Sequence, residues 1–396
     1  MIARQPNVSP RPESMSPIPP VLARTSAIAA VLALFALSSP TRAQRPRMLD
    51  KPQVELGEPF TNVVSVRELS DGRVVVIDQG DRALYVADFA AGTSTQIGRP
   101  GGGPAEYRSP QLLLAGGRDT TLLTDPGNNR ILIIGPDAKP AGLLTGAFPM
   151  AEGQPGTRLP RAMDASGRGY FLSRAGNLNQ TSSTMVRPDS VAIVRTARGS
   201  MKDDSLAFVQ MAPRKITTTT KDGKLTGVNI VIAPFPAADA WQVFPDGAIA
   251  IVRAKGYRVD WVLPDGKHVT GKENPFTPVR VVDADKRPPA SGNAARSGGA
   301  AGAAPSPPLD LEWPDFKPAF FPSNALAGTD GRIWIQRHVA ATDARALYDV
   351  ADRRGVIVEK VELPKGGRIV GFGAKSIYVV RLDADDLQYL QRYPLH

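Results

Sequence analysis

The chain has 396 residues, 42% hydrophobic and 22% charged, with a formal net charge of +10, a globular balance with enough apolar material for a large core. It contains no cysteine, which excludes disulfides, thiol catalysis, iron–sulfur clusters and cysteine-based zinc sites, and lets the chain survive an oxidising compartment without mispairing. Gly and Pro stand at 37 each, so many turns and short strands are expected rather than long helices.

At the N-terminus, Ala27 to Leu37 is an unbroken apolar stretch preceded by Arg24, broken by Ser38, Ser39 and Pro40, and followed by Thr41-Arg42-Ala43. Small residues at the −3 and −1 positions after a short apolar core are the pattern of a secretory signal, with cleavage expected after Ala43. The stretch falls short of the roughly 20 apolar residues that span a bilayer, so residues 1–43 are expected to be removed, with no stable membrane anchor after cleavage. The alternatives are a buried helix or an uncleaved anchor. The segment before Arg24 is long and rich in Pro, and Met15 offers a start that leaves a signal of ordinary size. The protein is expected to be exported, periplasmic or secreted.

From residue 60 onward one pattern repeats. Val63–Leu69, the Asp71-Gly72 turn, Val74–Asp78, the Gly80-Asp81 turn, Leu84–Asp88 and Ser94–Ile97 read as four short antiparallel strands, the content of one propeller blade. Equivalent turns recur at Gly116-Gly117, Ser166-Gly167, Asp246-Gly247, Asp330-Gly331 and Gly373-Ala374, each followed by a short apolar strand. Arg82-Ala83-Leu84-Tyr85 and Arg345-Ala346-Leu347-Tyr348 are identical tetrapeptides at equivalent places. The fold class expected is all-β, a six-bladed β-propeller of four-stranded blades that forms one domain over 44–396.

The turn glycines are 45, 50, 80, 84 and 42 residues apart. The first long gap holds Lys215–Thr220, Lys221-Asp222-Gly223 and Val228–Ile232, read as a hairpin extending the outer edge of blade three. The second holds 285–308, rich in Ala, Gly, Pro and Ser, read as a mobile insert with too little apolar content to fold. An eight-bladed ring is the alternative, but neither gap contains four strands. Only two strands follow residue 373, so Gln53-Val54-Glu55-Leu56 is expected to complete blade six from the N-terminal side and close the ring. Nothing before Gln53 is assigned a place in it.

The stretch Asp125-Pro126-Gly127-Asn128-Asn129-Arg130 followed by Ile131–Ile134, its counterpart Asp78-Gln79-Gly80-Asp81-Arg82, and the linker Gly98–Pro110 between them resemble the NHL-repeat propellers and the exported six-bladed propellers that share this linker. The resemblance covers residues 60–146 closely and fades beyond. It implies a six-bladed ring around a central channel. It does not imply one activity, since the fold hosts binding modules, scaffolds, lyases and lactonases.

The residues that carry chemistry are few. Gly101-Gly102-Gly103 lacks the Lys-Ser/Thr of a phosphate-binding loop, and Pro104 removes a donor, so it reads as an inter-blade turn. Arg99, Glu106, Tyr107 and Arg130 stand where loops emerge on one face and are the candidate ligand-binding residues, with local backbone satisfaction the competing role for Glu106. Asp78 and Asp125 recur at one blade position, as acceptors for turn N–H groups rather than as calcium ligands. Of the three histidines, His268 lies in a polar turn, His338 ends a strand and His396 is terminal. No nucleophile elbow accompanies them, and no catalytic residue is assigned. Trp241, Trp261, Trp313 and Trp334 are read as packing between blades.

The expected role is a non-catalytic binding or scaffold module for a protein, peptide or glycan, acting as a monomer and without a cofactor. A metal-dependent lactonase, hydrolase or lyase at the central channel is the alternative, and would need a set of Glu, Asn and Asp around Ca²⁺. Nucleic acid is not an expected partner, because the basic residues are scattered among acidic ones.

Overall fold

Val74-Val75-Val76-Ile77 is apolar at every position, where a strand with one wet face would alternate. In the computed structural model all four side chains are fully buried. Val74 and Val76 pack on one neighbouring sheet, Val75 and Ile77 on the other. The structure describes residues 45–150, 156–173, 189–221, 224–286, 312–343 and 345–396, without the side chains of 214–232. The expected signal segment and most of the 285–308 insert lie outside the described residues.

Among the described residues, six four-stranded antiparallel sheets are arranged as blades, a β-propeller. In order from the inner strand outward, blade one is Val63–Glu68, Val74–Asp78, Ala83–Asp88 and Thr93–Gln96. Blade two is Leu112–Gly117, Thr120–Asp125, Arg130–Ile134 and Pro140–Leu143. Blade three is Ala162–Met163, Gly169–Leu172, Ser190–Thr196 and Asp203–Gln210. Blade four is Ala240–Val243, Ile249–Arg253, Arg258–Val262 and His268–Val269. Blade five is Phe320–Ala327, Ile333–Arg337, Arg345–Ala351 and Ile357–Lys365. Blade six is Gly367–Phe372, Ser376–Leu382, Gln388–Pro394 and, from the N-terminal side, Val54–Glu55. In the first five blades the turn between the first two strands places a glycine in the left-handed region, among them Gly72 at φ 86° and Gly247 at φ 88°, a conformation that costs other residues strain.

The core is six apolar slabs, one between each pair of neighbouring blades. Trp261 fills the slab between blades four and five, Trp334 the slab between five and six. The last slab joins blade six to blade one through Tyr378, Val380, Leu390, Val63 and Val76. At that seam Arg368 Nη2 donates to the Val63 carbonyl at 2.8 Å.

The closing strand lies where the sequence places it. Val54 and Glu55 pair antiparallel with Arg392 and Gln391, flanked by Gln53 N–H to Arg392 O (2.8 Å) and Leu56 N–H to Leu390 O (2.9 Å). Leu56 is fully buried in the seam. Two expectations need correction. Arg47–Met48 pairs in parallel with Val361 and Glu362, adding a fifth strand to blade five, and Leu49 is buried behind it, so the segment 47–49 ahead of Gln53 is structural after all. The hairpin Arg214–Lys221 with Lys224–Ile232 forms, but as a separate two-stranded sheet. The outer strand of blade three is Asp203–Gln210, whose polar start hides it from a search for apolar runs.

Candidate functional site

The four sequence candidates come together at the linker between blades one and two, where Glu106 and Arg130 turn their polar groups onto its backbone. Glu106 accepts from Gly103 N–H at 2.7 Å and from Arg99 Nε at 2.7 Å. These two contacts, that from Gly103 the stronger, hold its carboxyl below the usual range. Arg130 donates to the carbonyls of Gly102 (3.1 Å), Gly103 (2.7 Å) and Glu106 (2.7 Å). Tyr107 is fully buried, and its hydroxyl accepts from Leu84 N–H at 3.1 Å. Asn128 adds a bond to the Gly101 carbonyl. The triple-glycine turn is therefore clasped by side chains that spend their donors on its backbone, while Arg99 keeps an exposed guanidinium beside it.

Asp78 and Asp125, both fully buried, anchor the same kind of turn in the two blades. Asp78 accepts from the N–H groups of Thr61 (2.7 Å), Asn62 (2.9 Å) and Gly80 (2.9 Å). Asp125 accepts from Ser109 (2.8 Å), Arg108 (3.1 Å) and the Asn128 amide (2.7 Å). Each carboxylate satisfies the backbone leading into an inner strand, the role the repeat spacing suggests.

A cavity of about 620 Å³ opens where the inner strands begin, walled by residues of blades two to five. Leu112, Leu159, Leu172, Met211 and Trp241 supply apolar surface, and Arg161, Gln111 and Ser323 supply exposed polar groups. Since these elements belong to four blades around the ring, the cavity is the mouth of the central channel. Its one carboxylate, Asp239, is already engaged, accepting from Arg253 (2.8 Å), Gln210 N–H (3.0 Å) and Ala254 N–H (2.9 Å). The Gln242 amide donates to the Ala325 carbonyl at 2.6 Å. The Arg161 guanidinium has no partner among the described residues. None of the three histidines lines this cavity. Among the described residues, no three His, Cys, Asp or Glu side chains stand close enough to share a metal ion.

Beside the mouth, blades four and five are tied by a buried polar network. Arg337 pairs with Asp349 at 2.7 Å and donates to the Ala319 carbonyl at 2.7 Å. The Tyr257 hydroxyl donates to the same Asp349 oxygen, and burial followed by the Asp349 charge raises its pKa well above 10. His338 is 5% exposed and stacked on Phe321, with Nδ1 unpartnered among the described residues. Burial, then repulsion from Lys317, lowers its pKa to about 4 against a hydrogen bond to the Phe320 backbone, so it is a neutral, packed ring at ordinary pH.

Sequence reasoning singled out the linker residues as ligand contacts, with backbone satisfaction weighed for Glu106 alone, and missed the channel mouth, whose residues run from Gln111 to Ser323 with no shared motif. The signal available was Trp241, which lines the cavity while Trp261 and Trp334 are buried between blades. Trp241 also packs against the slab between blades three and four, as expected, whereas Trp313 sits outside the slabs, against Phe235.

No family profile and no curated protein matches the chain. Solved structures resemble it at low identity. Regucalcin, a calcium-binding protein from Agrobacterium tumefaciens, is 14% identical, with 88% of this chain and 97% of that one covered and a TM-score of 0.42. A DUF4221 family member from Bacteroides vulgatus is 8% identical, covering 87% and 98%, with a TM-score of 0.40. Virginiamycin B lyase from Staphylococcus aureus is 12% identical, covering 87% and 88%, with a TM-score of 0.30. The six-bladed ring rests on the strand topology itself, and no activity is carried over from these proteins.

Proposed function

We propose that this chain is an exported, NHL-like propeller whose role is binding rather than catalysis, and that it takes a protein, peptide or glycan ligand at the channel mouth. The observation that carries the reading is the make-up of that mouth. It offers a mixed wall in which Trp241 and several aliphatic side chains stand beside polar ones, and among the described residues its one uncommitted cation is Arg161 and its one carboxylate, Asp239, is spent on Arg253 and backbone N–H groups. A concave surface that combines apolar contact with orienting polar groups suits a ligand. Acid–base or nucleophilic chemistry would further require a base within reach of a nucleophile, and the hydroxyls of Thr124 and Ser323 have no histidine or free carboxylate beside them in this cavity. Export rests on the apolar core Ala27–Leu37 and the small residues Thr41 and Ala43. Among the described residues no helix is long and apolar enough to cross a membrane.

The test is to probe peptide and glycan arrays with the protein from residue 44, and to assay the same preparation against a panel of lactones with and without Ca²⁺. Specific array binding without turnover supports the reading. Calcium-stimulated lactone hydrolysis overturns it.

A further inference from the structure

We propose a second binding surface, distinct from the channel mouth: the outer edge of blade three receives one extended peptide, carrying an acidic residue, as a fifth strand. The edge strand Asp203–Gln210 is eight residues long, whereas the fourth strands of blades one, two and four have four residues or fewer. The long fourth strand of blade five is covered by Arg47–Met48, and the long third strand of blade six, Gln388–Pro394, by Val54–Glu55, both from the N-terminal segment. No described strand pairs with Asp203–Gln210 on its outer side, and the neighbouring hairpin forms its own sheet. The ring thus adds an extended chain to a blade edge twice, and blade three offers a third such edge. An open row of backbone groups is a template for a further strand.

The register says which groups are open. Val191 and Ile193 face Val209 and Ala207, and Ala192 bonds the other way, its carbonyl accepting from Ser173 N–H. Phe208, opposite Ala192, therefore turns its N–H and C=O away from the sheet. Arg253 reaches that carbonyl at 2.7 Å, and Asp239 engages both backbone groups of Gln210. These contacts end the ladder at its Gln210 end, so an added strand lies alongside Asp203–Phe208. The Phe208 N–H has no partner among the described residues, and its side chain is 61% exposed.

The edge is recessed. A groove of about 680 Å³ runs along it, with Lys255, Arg258, His268 and Glu273 of blade four and the segment after it as the far wall. A wall facing the edge leaves room for one extended chain rather than for the sheet edge of a second copy. Arg253 and Arg258 both pair with Asp260, whereas Lys255 is exposed and has no partner among the described residues. It supplies the charge that an acidic side chain of the incoming peptide meets.

The experiment uses a fluorescein-labelled octapeptide of alternating valine and threonine with one central aspartate. Anisotropy is measured against the protein from residue 44, Phe208→Pro, Phe208→Thr and Lys255→Glu. Proline at 208 removes only the outward N–H and leaves the in-sheet bonds intact. The expected result is saturable binding by the wild type, at least tenfold weaker binding by Phe208→Pro and Lys255→Glu, and binding retained by Phe208→Thr. Hydrogen exchange on the wild type is expected to show the Phe208 amide newly protected by the peptide, an arm that stands even if the proline variant fails to fold. No wild-type binding, equal binding by Phe208→Pro, or a wild-type dimer that the proline variant abolishes without peptide capture would each overturn the proposal. Loss of channel-mouth ligands leaves these readouts unmoved.

Discussion

The Tyr257 hydroxyl of blade four donates to Asp349 of blade five at 2.7 Å, on the same carboxylate oxygen that receives Arg337. One buried acid thus ties two blades together and compensates a buried guanidinium. Asp349→Ala would leave Arg337 unpaired and the Tyr257 hydroxyl without an acceptor. Breaking a buried pair by removing one partner costs about 3–5 kcal/mol. The variant is expected to melt well below the wild type, and Asp349→Asn, which keeps an acceptor, between the two. An unchanged melting curve for Asp349→Ala would contradict this account of the interface.

His338 predicts a particular acid sensitivity. Its folded pKa, about 4, lies below the ordinary 6.5, so the unfolded chain binds this proton first as pH falls. Stability from this group is fully present above pH 6.5 and is lost as pH falls towards 4, by roughly 3 kcal/mol at most. His338→Gln removes the titration. Between pH 7.5 and 4.5 the wild type is expected to lose more stability to urea than the variant. Equal losses would show that His338 does not titrate as its burial requires.

The N-terminal segment should be needed in two steps. Starting the chain at residue 51 removes Arg47–Met48 from blade five, the ion pair of Arg47 with Glu359 and the buried Leu49. A moderate loss of about 2–4 kcal/mol is expected, mostly from Leu49 and the lost bonds. Starting at residue 59 also removes the closing strand, Leu56 and the Glu55 contacts with Arg381. That protein should aggregate, because the outer edge of blade six is then open. Size-exclusion chromatography and thermal melts of both truncations check the order of severity.

Arg130→Ala tests the linker clasp. It removes three donors from the carbonyls of Gly102, Gly103 and Glu106, and charged hydrogen bonds of this kind are each worth roughly 1.5–3 kcal/mol. Stability is expected to fall by about 2–4 kcal/mol with array binding unchanged. Lost binding without lost stability would restore Arg130 as a ligand contact.

What was legible in the sequence was local or repeated. Turn glycines act within a few positions of themselves, and Asp78 and Asp125 recur at one place in the repeat, each bonding a turn group two or three positions on, so six blades and two carboxylate anchors followed from spacing. Val54–Leu56 was legible because a ring needs its last edge covered. Arg47–Met48 was not, because two residues carry no alternation and their partners lie more than 300 positions away. The channel mouth was hidden for a related reason: Leu112, Arg161, Trp241 and Ser323 each look like ordinary strand residues until the ring brings them together.

The most direct measurement is calorimetric titration of the strongest array ligand into the wild type, Trp241→Ala and Arg161→Ala, with Arg99→Ala as the exposed linker control. The account predicts at least a tenfold loss of affinity in the first two variants, with the melting temperature of Arg161→Ala within a few degrees of the wild type and that of Trp241→Ala lower because Trp241 also packs on the blade three/four slab, and no change for Arg99→Ala. Equal affinity for the wild type and both channel-mouth variants would place the ligand elsewhere and contradict the central claim.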